Sequence, residues 1–415
     1  MPNSALKTID IMWESFVDSF DGMCVLSKAV DKETLDPTKL ERGNDVMYVR
    51  QNYHASTVSG LDISAANDMD VISRAVPMVF QDPQNVKYSM DAKEMRDELV
   101  MRKQGEAAAR QLAAIIDTTL WNRACARANI AIFSNSAFTW NLGQSAETQM
   151  IQRGIMASQG KLFLNATDYQ AVSADLGQKA YMGDWSKSAY ERSQVPGIAS
   201  FQTFRVDNLQ NQVARGTVTG TTINGNQSYT VVAKDANGVP VDNRQMALTV
   251  AGANVANIKV GDRFTIGTAG TANAVDAVHM INKEDTGVQQ VFTVLAVAGG
   301  GTSLTITPAI VASGPYQNVS VQAGTGATVN FVNSASRPYN LFFAGDAVQL
   351  KYSRLHFPTD QGALVRTATT ENGAPLTMSY FFNHLTGKTQ FRFHTYFSAE
   401  AVDPEKIGVI VANQA

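Results

Sequence analysis

The stretch from Tyr88 to Phe133 constrains the fold more than any other, because it reads as one very long helix or two in series. Ser89 and Asp91 are N-cap candidates at its start, and no proline follows until Pro196. Strong helix formers dominate from Glu106 to Ala128. Leu112, Ile115, Ile116 and Leu120 fall on one stripe, while Glu106, Arg110, Asp117 and Arg127 lie largely elsewhere, which is the pattern of an amphipathic helix. Glu98 with Arg102 and Glu106 with Arg110 are i to i+4 pairs in the favourable order, each contributing ~0.3 kcal/mol. Gly105 costs roughly 1 kcal/mol relative to alanine and predicts a kink or break. At ~1.5 Å per residue, about 25 to 40 helical residues span about 40 to 60 Å. Something wide has to lie across such a helix.

A chain of 415 residues with 44% hydrophobic content can bury a large core and is expected to form two or three domains. Its net charge of −3 and pI of 6.0 supply no overall basic field, so tight wrapping of nucleic acid is not indicated. No apolar run is long enough for a membrane span, and Met-Pro-Asn-Ser-Ala-Leu-Lys lacks the apolar centre of a signal peptide, so synthesis and retention in the cytoplasm are expected. Cys24 and Cys125 share no motif, and no disulfide is expected.

In chain order, residues 5–21 form an amphipathic helix with Leu6, Ile9, Trp13, Phe16, Val17 and Phe20 on one side, stopped by Gly22. The opposite side carries Lys7, Asp10, Glu14, Asp18 and Asp21, which suits either a terminal helix packed on its own domain or a docking arm offering carboxylates to a partner. Two strand-like runs follow, Asp45 to Arg50 and Asp70 to Phe80, with a polar middle and with Pro77 fitting an edge or bulge. So long a hairpin is marginal alone and must lean on its own domain or on another copy. After the long helix, Lys161 to Leu164 reads as a strand, and Asn165-Ala-Thr-Asp168 caps a helix ending near Gly177. Composition changes from about Gly216 to Ser336. This segment holds 15 of the 30 glycines and no tryptophan, and its short alternating runs imply a β-barrel or sandwich inserted into another domain. Near the end, Leu376, Met378, Tyr380 and Phe382 alternate opposite Phe391, Phe393 and Phe397, with a turn at His384 to Lys388, and a last strand follows Pro404.

Chemistry-bearing motifs are missing. Gly387-Lys388-Thr389 sits in a hairpin without the glycine a phosphate loop requires, the triple glycine at 299–301 precedes no helix, and the five histidines fall in separate segments. No catalytic, cofactor-binding or metal-binding residue is assigned, and no enzyme activity is expected.

The order of parts resembles the major capsid proteins of tailed phages, with the Hong Kong 97-type fold, most closely the coat proteins of Lederbergvirus-type short-tailed phages. The resemblance rests on Met95-Arg-Asp-Glu98, Ala108-Ala-Arg-Gln-Leu-Ala113, Leu162-Phe-Leu-Asn-Ala-Thr-Asp-Tyr169, Val241-Asp-Asn-Arg244 and Pro404-Glu-Lys-Ile-Gly-Val409, collinear over nearly the whole chain. It implies an α+β fold with a long spine helix, an antiparallel sheet, an extended hairpin and an inserted β domain. Its divisions are an N-terminal arm (1–35), the extended hairpin (36–86), a peripheral domain with the spine (87–135 and 375–415), an axial domain (136–215 and 337–374) and the inserted domain (216–336). It also implies self-assembly into hexamers and pentamers of an icosahedral head, with a scaffolding protein, a portal protein and packaged double-stranded DNA as partners. The DNA would lie on the inner surface without sequence specificity, and no membrane is involved. A β-rich adhesion or tail module is the alternative, and an enzyme with a site formed only in three dimensions is a weaker one.

Within that reading, Asp45, Arg50, Asp62, Asp68, Asp70 and Arg74 are candidates for pairing across subunit boundaries, and Glu14, Asp18 and Asp21 for docking the scaffold. Some shells of this fold are locked by a lysine on the extended hairpin, but this chain has none between Lys39 and Lys87, so a non-covalent shell is expected.

Overall fold

The computed structural model describes residues 4–35, 46–55, 57, 60–62, 64, 72–156, 160–178, 195–207, 211–355 and 362–414. They form a mixed α+β protein of two compact units, the first built from 1–48, 77–121 and 348–400, the second from 49–76, 122–347 and 401–415.

In the first unit, helix α1 (Ser4–Met23) buries Ile9, Phe16 and Phe20 of the stripe the sequence marks, together with Met12, and Phe16 packs on Phe393 with ring centroids 4.6 Å apart. A one-turn helix α2 (Leu26–Ala29) follows. The spine helix α3 runs unbroken over Glu98–Ala126, with Leu112, Ile116 and Leu120 fully buried. It starts later than the sequence suggests. Gln84–Asp91 is a strand, so Ser89 and Asp91 cap nothing, and Asp97 Oδ1 instead accepts the Leu99 N–H at 2.9 Å. The alternation of Val86, Tyr88 and Met90 is strand periodicity that helix-forming neighbours obscure. Neither expected i to i+4 pair forms among the described ion pairs, and Glu98 meets Lys7 at 3.5 Å instead.

Gly105 does not kink the helix. A Cβ there would lie 2.4 Å from the Met12 carbonyl oxygen, so the glycine exists to let α1 cross α3 at backbone distance. The sheet of this unit is ordered Asp31–Thr34, Val348–Ser353, Lys388–Ala401, Pro375–Asn383, Leu364–Thr369, and Gln84–Asp91 also pairs with Lys388–Ala401.

In the second unit a five-stranded sheet is ordered Ile130–Phe133, Ile407–Val411, Asn340–Phe343, Lys161–Asn165, Gln202–Val206. Helices α4 (Trp140–Gln152) and α5 (Ala166–Gly177) pack on it through Trp140, Met150, Val172 and Leu176. Asn165 caps α5 as expected, its Oδ1 accepting the Asp168 N–H at 2.9 Å. Pairing redistributes the C-terminal third relative to the sequence-based divisions. Val348–Ser353 and Leu364–Thr369 join the sheet of the first unit, whereas Ile407–Val411 joins that of the second. Alternation identifies strands but not their non-local partners.

The inserted segment holds a six-stranded sheet in the order Val329–Phe331, Arg263–Ile266, Phe292–Ala298, Ser303–Thr307, Met246–Ala253, Thr219–Ile223. Its two edges meet through the Thr222–Thr328 bridge and the Ile223 N–H donating to Ala327 O at 2.9 Å, which closes it into a barrel around Leu248, Phe264, Phe292 and Leu304.

Candidate functional site: arm and hairpin anchors

The arm is fixed to the spine by a carboxylate that the sequence pattern places on the polar side of the helix. Asp117 of α3 is buried, and its two oxygens accept the backbone N–H groups of Val25 at 2.9 Å, Leu26 at 3.2 Å and Ser27 at 2.9 Å. These are N–H groups at the start of α2, which has no intrahelical partner to offer them. Of the proposed docking carboxylates, Glu14 and Asp18 stand exposed one turn apart on α1. Asp21 is half-buried, and its Oδ2 accepts the Asn372 N–H at 3.4 Å. Asp10 on the same helix pairs with Arg366.

The extended hairpin pairs Val46–Arg50 with Ala75–Val79 as a two-stranded ribbon, and Pro77 sits in this edge position. Asp45, Asp68 and Asp70 lie outside the described residues. Arg50 is exposed, and so is Asp62, whose carboxyl is held below its ordinary range by hydrogen bonds from Ser64. Arg74 differs from both. It is buried, at 7% exposure, with Nη1 3.6 Å from Glu405 Oε1, Nη2 donating to Asn52 O at 2.8 Å, and its guanidinium 4.3 Å above the Tyr316 ring. The side chain expected to reach a neighbour is thus engaged within its own chain.

Around this arginine the root of the hairpin, the inserted domain and the C-terminal turn are tied together. His54 Nε2 lies 3.5 Å from Glu405 Oε2, and its ring meets Tyr316 edge-on at 5.6 Å. Tyr316 donates its hydroxyl to Ile72 O at 2.9 Å. Gln51 Nε2 donates to Val402 O and Asn52 Nδ2 to Asp403 Oδ2, both at 2.7 Å. Burial opposes ionisation of Glu405, but the hydrogen bond from His54 and the charges of Arg74, His54 and Lys283 outweigh it and hold the carboxyl down to about 2.

The inserted barrel is seated by two further buried arginines. Arg244 grips Asp242 in a bidentate pair, Nε to Oδ1 at 2.8 Å and Nη2 to Oδ2 at 2.7 Å, and also donates to Ala401 O. Burial resists the Asp242 charge, yet Arg244 and then Arg127 keep its carboxyl below the ordinary range. Arg263, fully buried, donates Nη2 to Cys125 O at 2.6 Å in the last turn of α3, where a cation complements the helix dipole. Asp117, Arg263 and Glu405 are anchors that no local sequence pattern marks as such. Asp242, Arg244 and Glu405 do lie in motifs quoted for the resemblance. Among the described residues no group of three or more His, Cys, Asp or Glu is arranged to hold a metal ion.

Among solved structures, the capsid of Cyanophage P-SCSP1u aligns over 94% of this chain and 89% of its own at 8% identity with a TM-score of 0.48. The mature capsid of bacteriophage PhiM1 aligns over 93% and 86% at 7% identity with a TM-score of 0.44. A chain of Mycobacterium phage Che8 aligns over 93% and 90% at 8% identity with a TM-score of 0.42. In sequence, the family described as P22 coat protein, gene protein 5, matches residues 1–412. This protein, with its spine helix, buried arm anchor and inserted β-barrel, belongs to the P22 coat protein family.

Proposed function

We propose that the chain builds an icosahedral phage head as hexamers and pentamers of a major capsid protein of the Hong Kong 97-type fold, around double-stranded DNA. The family match over residues 1–412 carries this reading. Family membership implies a structural role rather than catalysis and a place in the capsid of the virion.

Finer assignments follow from the chemistry of exposed groups. Glu14 and Asp18 are the carboxylates on α1 that a basic segment of a scaffolding protein could meet, while Asp21 is used within the chain. Arg50 and Asp62 remain candidates for pairing between subunits because both are exposed, and such pairs contribute only about 0.2 to 1 kcal/mol each, enough to set register. Assembly takes place in the host cytoplasm, with a portal protein at one vertex and DNA held against the inner surface without sequence specificity.

Electron microscopy of the purified protein, with and without its scaffold, tests this function. Closed shells of uniform diameter support it, and a monomer that never assembles under either condition contradicts it. Denaturing gels of mature particles should show a monomer band alone, since the hairpin has no lysine to form a covalent link.

A further inference from the structure

We propose that the cavity behind the hairpin root is a binding site for a small inorganic anion of halide size, held by Arg153 and Lys283. The cavity has a volume of about 30 Å³ and is bordered by His54, Asn129, Arg153, Lys283, Gln290 and Glu405 among others. Arg153 follows α4, is buried at 8% exposure, and makes one side-chain hydrogen bond, Nη1 donating to Gln290 Oε1 at 2.7 Å. Gln290 is itself fixed, because its Nε2 donates to Asn129 O at 2.9 Å and to Val291 O at 2.8 Å, leaving Oε1 for the guanidinium. Lys283, half-buried in the inserted domain, donates Nζ to Gln317 O at 3.2 Å.

Among the described residues neither Arg153 nor Lys283 has a carboxylate at ion-pair distance. Glu405 is the carboxylate that borders the cavity, and Arg74 and His54 already engage both of its oxygens. Arg153 and Lys283 therefore border a cavity whose one carboxylate is already engaged by Arg74 and His54. A buried cation without a counter-charge is strongly unfavourable. Burial draws Arg153 down only to about 10, so at neutral pH it keeps its charge and needs a partner from solution.

Size selects the class of anion. A water needs ~10–15 Å³ of such volume, so a cavity of about 30 Å³ matches one halide or two waters and is small for a tetrahedral oxyanion. Water is the rival occupant, because Asn129 Oδ1 is buried at the same cavity without a hydrogen-bond partner and would accept from it. A bound halide would join the turn after α4 to the inserted domain beside the hairpin root, and the stability of the subunit would depend on chloride.

Chloride NMR relaxation on the full-length protein tests the site, together with thermal unfolding in chloride and in gluconate at matched ionic strength. The expected result is a saturable excess relaxation that bromide displaces and sulfate does not, with a higher unfolding midpoint in chloride. Arg153→Gln should abolish both effects, and the surface variant Lys388→Gln should retain them. Should Arg153→Gln fail to fold, Lys283→Gln, at a half-exposed position, is expected to weaken chloride binding at least tenfold. Equal chloride relaxation in wild type and these variants, or none in wild type, would mean that the cavity holds water only and would overturn the proposal. Displacement by sulfate would overturn the assignment to a halide.

Discussion

The N-terminal arm and the extended hairpin are anchored by different physics. On the arm, the Asp117 carboxylate is spent on three backbone N–H groups, Gly105 admits the backbone of α1, and an apolar stripe fills the rest. Two of its ion pairs lie outside the core, while Glu33 pairs with the buried Lys351. Lys7–Glu98 is 72% and 59% exposed and Asp10 is 46% exposed, so each adds little. At the hairpin root the order is reversed. Arg74 is buried against Glu405, His54 and Tyr316, and ionised side chains hold the segment. Apolar packing responds weakly to pH and salt, whereas a buried ion cluster holds only while both signs are present. The arm is therefore held by one carboxylate on backbone groups, and the hairpin root by a cluster of opposite charges.

The largest effect comes from breaking the buried face of the spine helix. Ile116→Asp buries an unpaired carboxylate at a fully buried position and should cost on the order of 4 kcal/mol, seen as loss of soluble monomer. Asp117→Ala strands the N–H groups of α2 and should cost about 2–3 kcal/mol in urea unfolding. Glu405→Gln leaves Arg74 without its counter-charge. Because the Glu405 side chain is 27% exposed, the expected loss is about 2 kcal/mol, below that for a fully buried pair. Gly105→Ala gains up to ~1 kcal/mol of helix propensity but drives a methyl into Met12 O, for a net loss of about 1 kcal/mol and a shifted arm.

The hairpin root carries a pH dependence through Glu405. Glu405 is lowered from an ordinary value of 4.5 to about 2, so its contribution is complete above about 4.5 and disappears as pH falls toward 2. An acid titration of wild type should show this loss in that window, and the same titration of Glu405→Gln should lack it.

Much of this architecture is legible in the sequence where the signal is periodic. The α1 stripe, the buried face at Leu112, Ile116 and Leu120, the Asn165 cap and the hairpin alternation at 376–397 all follow from local spacing. What stays hidden is long-range. Asp117 resembles a solvated helix carboxylate until α2 is brought to it, and Gly105 looks like a weak point until Met12 crosses it. Glu405 is one acid in a turn of Pro-Glu-Lys until Arg74 arrives from 331 positions earlier. Anchors of this kind are made by the meeting of two segments, and neither segment alone encodes them.

Hydrogen exchange at neutral pH on Glu405→Gln beside wild type measures the difference between the anchors residue by residue. The amides of Gln51, which donates to Arg74 O at 3.1 Å, and Asn129, which donates to Pro404 O at 3.3 Å, should exchange at least tenfold faster in the variant. The amides of Leu26 and Ser27, held by Asp117, should keep their wild-type rates. Equal acceleration at the arm and the hairpin root, or none at the root, would contradict the account of two separate anchors.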